Sequence, residues 1–229
     1  MSLIETEIAK LRSRAHQVVQ YVRRQLYLLE EGIQQMDAQR LTQIERLREE
    51  ALEEDMRLDR RCARILALHQ PVANDLRFIL AVLRMHFYLD EIGERLGTIG
   101  RRLAQALPLL QTAELPLADL VASVRRLLEV CIEAFFRSDT DKAKKINEED
   151  EYVDQAYKRC AAYITKTLAC PLTEREAEAW LNVAFSIKDL EKIADYATDI
   201  ADASIYHAEG VYYWHRFARR SKTSPQELI

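Results

Sequence analysis

Ile8, Leu11, Ala15, Val18, Val22, Leu26 and Leu29 recur every three or four residues with no glycine or proline between them, a spacing that an α-helix turns into one apolar face. The pattern returns in Leu41, Ile44, Leu47, Leu58, Cys62 and Ile65. Stripes of this length have to be buried against other stripes. Strands and hairpins would need punctuation that five glycines and five prolines in 229 residues do not supply. The expected class is all-α, and an apolar content of 48% is enough for a real core.

Boundary signals divide the chain into six long helices. The first opens at a capping box, Ser2-Leu3-Ile4-Glu5, and runs toward Gly32; Asp37 caps the second, which stops before Pro71; the third spans about Asn74 to Ala106. The segment LPLLQTAELP, with Pro108 and Pro116, reads as a linker. Beyond it the fourth helix covers Leu117 to Arg137, and Asp139 caps a fifth that reaches about Ala169. A second capping box, Thr173 to Glu176, opens the sixth, which ends at Gly210. Each half is three long helices joined by short loops, so the expected architecture is two tandem antiparallel three-helix bundles, residues 1–107 and 117–210, followed by an aromatic and basic tail, 211–229.

No run approaches the length of uncharged apolar sequence that a spanning helix needs, and the acidic start MSLIETEIAK is unlike a signal peptide, so a cytoplasmic protein is expected. Cys62, Cys131, Cys160 and Cys170 show no metal or redox spacing and read as small core residues of a reduced compartment. A formal charge of −4 disfavours nucleic acid as a partner. Five glycines leave no phosphate-cradling loop, and no nucleophile, base and acid can be assembled from the pattern.

Two stretches repeat across the halves. LDEIGERLGTIG (Leu89 to Gly100) matches LEKIADYATDIA (Leu190 to Ala201), and one helix earlier EDMRLD (Glu54 to Asp59) echoes EDEYVD (Glu149 to Asp154). The echoes give four acidic pairs at i,i+4: Asp55 with Asp59, Asp90 with Glu94, Asp150 with Asp154, and Glu191 with Asp195. A single such pair reads as a solvated helix face, slightly unfavourable through like-charge repulsion. Their placement, one pair on the second and one on the third helix of each half, lets them face each other across a hairpin. Gly93, Gly100, Ala194 and Ala201 let a neighbouring helix approach. Converging carboxylates in a partly buried groove need a compensating cation, and oxygen-only ligands suit hard ions such as iron, manganese, magnesium or calcium. A ferritin-type di-iron site would need a histidine three residues after a ligand, where Leu58, Gly93, Val153 and Ala194 stand.

These paired motifs resemble the E(D)xxxD signature that the PhoU family of bacterial phosphate-uptake regulators carries in each of two three-helix bundles. DRRCARILALHQPVANDLRF (Asp59 to Phe78) is likewise similar to that family's first half around Gln70, Pro71 and Asp75-Leu76-Arg77. The resemblance implies a non-enzymatic regulator that lowers phosphate uptake and represses the phosphate-starvation response through a Pst phosphate transporter and the Pho sensor kinase. It implies multinuclear metal clusters, often iron, on Asp55, Asp59, Asp90 and Glu94 in the first half and on Asp150, Asp154, Glu191 and Asp195 in the second, with Asp199 assisting. The first-half motif departs from the family pattern at Tyr88, Glu91 and Thr98 and exchanges the sizes of Asp90 and Glu94. The second half is therefore expected to hold metal more tightly.

His16, His69, His86, His207 and His215 form no ligand spacing and are assigned no chemistry. Arg77 is expected to pair with an acid across the bundle, the alternative being a charge-assisted contact to phosphate in support of the site. The tail VYYWHRFARR suits a protein contact, an anionic surface or simple helix-end packing. A homodimeric signalling protein is the leading reading. A carboxylate-bridged metal hydrolase or oxidase, or a metal-free helical adaptor, are the competing ones.

Overall fold

The computed structural model describes residues 3–213. Every regular element among them is helical: α1 (Leu3–Gln34), α2 (Ala38–His69), α3 (Ala73–Leu110), α4 (Leu117–Arg137), α5 (Thr140–Lys144), α6 (Ile146–Leu168) and α7 (Glu174–Glu209). The all-α organisation in two halves is as expected. The fifth expected helix is divided at Lys145, where the backbone turns to φ −88° and ψ 2° and leaves α5 as a short lead-in to α6.

The caps explain where the chain turns. Asp37 accepts the amides of Gln39 and Arg40 at 2.8 and 3.2 Å, and Asp139 accepts that of Lys142 at 2.9 Å, so both satisfy donors that a helix start leaves orphaned. Thr173 and Glu176 form the reciprocal capping box, and Gly210 closes α7 at φ 75°, a conformation that glycine adopts without penalty. The expected capping box at Ser2 lies outside the described residues. Pro108 does not end α3 on the spot; it sits in the last turn, where its missing amide costs one hydrogen bond, and the helix stops at Leu110.

α3 and α7 pack along each other more extensively than any other pair, with α1 and α2 flanking α3, and α4 and α6 flanking α7. The buried apolar residues of both halves form one continuous core. Asp189 on α7 accepts both Arg95 and Arg102 of α3 at 2.6 Å, and Glu129 on α4 takes a two-pronged contact from Arg23 on α1. Cys62, Cys131 and Cys160 are buried thiols in this core, as expected. Cys170 is not: it lies past the end of α6 and is exposed, because Pro171 forbids another helical turn there.

The approach of α3 to α2 depends on glycine at one position. A Cβ on Gly100 would stand 2.4 Å from the Leu41 carbonyl oxygen, whereas one on Gly97 would find nothing nearer than the Glu45 Cα at 3.7 Å. Gly100→Ala is expected to destabilise the fold by about 2 kcal/mol through forced separation of the helices. Gly97→Ala is expected to be neutral or to gain up to ~1 kcal/mol of helix propensity. Thermal melts of the two variants decide the point, and equal effects would contradict the packing described.

Candidate functional site

Three of the sequence-predicted acids in the first half converge on a residue that the sequence reading did not single out. Arg48 projects from α2 into the seam with α3, its side chain only 13% exposed. Its Nη1 donates to Asp55 Oδ2 at 3.2 Å, its Nη2 hydrogen-bonds Asp90 Oδ1, and its Nε lies 3.7 Å from Glu94 Oε2. One guanidinium thus joins carboxylates from both helices. His86, on α3, lies between the other pair: Nδ1 is 3.6 Å from Asp55 Oδ1 and Nε2 is 3.4 Å from Asp59 Oδ1. The sequence reading gave this histidine no chemistry, although it stands one turn before Asp90 and therefore on the same face of α3.

Gln25 of α1 underpins the seam, its amide donating at 3.2 Å to the carbonyls of Ile44 and Gly93. Asp55 itself is buried, and burial pushes its carboxyl up to about 6; His86 and Arg48 oppose that shift, and the neighbouring Asp90 adds to it. Arg48 cannot cancel the penalty because it is shared among three carboxylates.

In the second half Asp150 is buried, while Glu191 and Asp195 are drawn along their own helix by Lys188 at 2.6 Å and Lys192 at 3.1 Å. These lysines and acids are partly exposed, and pairs of that kind contribute roughly 0–1 kcal/mol. Cys131 on α4 is fully buried, and its thiol is pushed well up by burial and by the carboxylates of Asp150, Asp202 and Glu149. Asp150 therefore lies in an acidic interior between α4 and α7.

The helix caps give a second register in which the halves can be compared. When Asp37 is laid on Asp139, both capping a helix start, Leu41 falls on Ala143, Ile44 on Ile146, Ala51 on Val153, Leu58 on Cys160 and Cys62 on Ile164, all buried. In that register Asp150 corresponds to Arg48 and Asp154 to Leu52. Asp55 and Asp59 lie two turns further along. A shift of seven residues returns a helix nearly to the same face, so the acidic and apolar pattern reads alike in both registers. On α3 and α7 the expected match holds: Asp90 lies on Glu191 and Glu94 on Asp195.

Two supporting residues fall elsewhere. Arg77 meets no acid of either cluster; its Nε donates to the His207 carbonyl at 3.2 Å, so it satisfies and electrostatically complements the C-terminal end of α7. Asp199 borders a cleft of about 160 Å³ between α3 and α7, with Arg84, Asp202 and Tyr212. Arg84 lies over the rings of Tyr206 and Tyr212 at 5.0 and 4.7 Å, which is where the first residues of the tail pack. The rest of the tail, from Trp214 on, lies outside the described residues.

Among the described residues no three His, Cys, Asp or Glu side chains are grouped so as to hold a metal ion. In the first half the geometry gives a reason, since the centre of the cluster is a guanidinium and cannot ligate. The first-half residues do not fit a metal in this arrangement. In the second half the corresponding position is the Asp150 carboxylate, and there too no three such side chains are grouped.

The sequence matches the family model described as PhoU domain twice, over residues 16–103 and 117–204. The chain belongs to the PhoU family. It is 30% identical over 171 residues to the phosphate-specific transport system accessory protein PhoU homolog of Pseudomonas aeruginosa, covering 72% of this chain and 68% of that one. To the accessory protein PhoU of Escherichia coli K12 it is 29% identical over 167 residues, covering 70% and 66%. The crystal structure of PhoU from Pseudomonas aeruginosa superposes with a TM-score of 0.79 at 25% identity, over 90% of this chain and 99% of that one. A phosphate transport regulatory protein from Streptococcus pneumoniae shares the fold, with a TM-score of 0.80.

The raised Asp55 carboxyl has a definite sign. Its folded-state value lies near 6 and its ordinary value at 3.8, so between pH 4 and 6 the folded chain binds the proton more avidly than the unfolded one. The stabilisation present at low pH is lost as pH rises through that window, by up to about 3 kcal/mol. Asp55→Asn is expected to flatten the fall in thermal midpoint between pH 4 and 6. A variant whose midpoint falls as steeply as the wild type's would contradict the assignment.

Proposed function

We propose that this chain regulates phosphate uptake and the phosphate-starvation response from the cytoplasmic side of the membrane, by protein contact rather than by catalysis. The observation that carries the reading is the double PhoU-domain match, together with relatives named as accessory proteins of the phosphate-specific transport system. Its partners in this reading are the ATPase subunit of a Pst-type phosphate ABC transporter and the Pho sensor histidine kinase. The functional unit is a homodimer.

Several features support a contact role. No helix among the described residues is long and apolar enough to cross a membrane. Leu181 and Phe185 stand one turn apart on α7 and are 48% and 56% exposed, a pair of apolar anchors of the kind that protein interfaces use. A regulator of this type needs only to bind one conformational state of its partner better than another. A difference of about 1–3 kcal/mol shifts the partner's balance 5- to 150-fold.

In the same reading the second half holds a multinuclear metal cluster on Asp150, Asp154, Glu191 and Asp195, with iron as the first choice and manganese, magnesium or calcium as alternatives. Hard oxygen ligands would suit any of these. Bound metal would brace α6 against α7 by neutralising acids that otherwise repel one another.

Deleting the gene and measuring radiolabelled phosphate uptake and alkaline phosphatase in phosphate-rich medium tests the function directly. Both are expected to rise in the deletion strain and to return to normal when the wild-type gene is restored. Unchanged uptake and phosphatase would remove the basis for the proposal.

A further inference from the structure

We infer that Arg48 is a built-in counter-cation that takes the place of a metal in the first half, so that any metal binding by this chain is confined to the second half. The inference rests on reading the acidic clusters as cation sites and goes further by assigning the two halves different cations.

Three observations carry it. Arg48 reaches Asp55 and Asp90 with separate nitrogens and comes within 3.7 Å of Glu94, so a single side chain touches acids on both α2 and α3. Its position is the one that Asp150 takes in the other half when the caps and buried residues of the repeats are superposed. One half thus places a positive charge at the register position where the other places a negative one, and the third helix of each half carries an acidic pair, Asp90 with Glu94 and Glu191 with Asp195. Finally, Leu52 of α2 falls where Asp154 of α6 stands, so the first half lacks a counterpart to that carboxylate in this register.

Position within the fold makes the exchange hard to reverse. The Arg48 side chain is 13% exposed, and an incoming ion would have to displace a buried guanidinium from its carboxylates. In the second half Lys188 and Lys192, which pair with Glu191 and Asp195, have side chains that are 61% and 32% exposed. Gly93 adds a local reason for the fit: a Cβ there would press on the Arg48 Cδ at 3.3 Å. The glycine leaves room for the arginine stem to lie flat against α3.

The test uses the full chain stripped of metal, with Mn²⁺ as the probe and two readouts, bound metal by elemental analysis and the thermal midpoint. Asp150→Ala is expected to abolish Mn²⁺ binding, whereas Asp90→Ala should leave the wild-type stoichiometry unchanged. In the Asp150→Ala background, adding Arg48→Asp is expected to restore a Mn²⁺-dependent rise in midpoint. Without metal, Arg48→Met is expected to lower the midpoint by about 10 °C, because it takes the guanidinium away from the buried Asp55. That loss should shrink when Mn²⁺ is added.

Mn²⁺ retained by Asp150→Ala and lost on adding Asp90→Ala would overturn the inference. So would an Arg48→Met protein as stable as the wild type. A wild-type chain that binds no Mn²⁺ while Arg48→Met still melts early would sink the metal reading of the second half and uphold the role of Arg48. Should Arg48→Asp fail to fold, the Arg48→Met midpoint and the Asp90→Ala stoichiometry still decide the matter.

Discussion

The seam between α2 and α3 is built on a charge problem. Buried Asp55 approaches the half-exposed Asp90, with the exposed Glu94 beside them, and like charges there push the helices apart. Arg48 offsets that repulsion from within the chain. Once it is in place, α3 can lie close on α2 through Gly100 and present its opposite face to α7. The long α3–α7 contact and the cross-seam pairs of Asp189 follow from a properly seated α3, so the whole two-half assembly depends on how this one cluster is neutralised.

Much of this was readable from the chain. Apolar periodicity placed the helices, and the acceptors at Asp37, Asp139 and Thr173 placed their starts, because a helix start needs an acceptor whatever surrounds it. The match between Leu89–Gly100 and Leu190–Ala201 also held, since both stretches carry small residues and acids at fixed offsets. The α2 motif fits two registers for a physical reason. Seven residues are nearly two full turns, so a slip of that size leaves every side chain on its original face and the pattern cannot reveal it. Counting from the caps Asp37 and Asp139, which start α2 and α5, favours the shifted register. In that register Arg48 falls where the other half carries Asp150, and His86 stands one turn ahead of Asp90. The break at Lys145 had no such signal, since the local sequence contains neither glycine nor proline.

The supporting residues show how a family signature can mislead about role while being right about position. Arg77 lies in a segment that resembles the family closely, yet its work is at the C-terminus of α7, where unpaired carbonyls attract a cation. Its neighbourhood is the end of the bundle, far along α3 from the acids. Asp199 likewise continues the acidic row of α7 by sequence, but one further turn carries it to the cleft with Arg84.

Internal duplication preserves what both halves must do and releases what only one of them must do. Both halves have to hold their second helix to their third, and any cation of suitable size accomplishes that. A guanidinium attached to the backbone is always present and cannot be removed by a chelator, a change of metal supply or oxidation. A bound ion is conditional on all three. If the second half closes on an ion, the chain contains one bundle that is permanently braced and one that responds to its surroundings, joined through α3 and α7. The permanent half then acts as the fixed frame against which a change in α6 and α7 is transmitted, and a surface on α7 such as Leu181 and Phe185 is positioned to carry that change to whatever protein it touches.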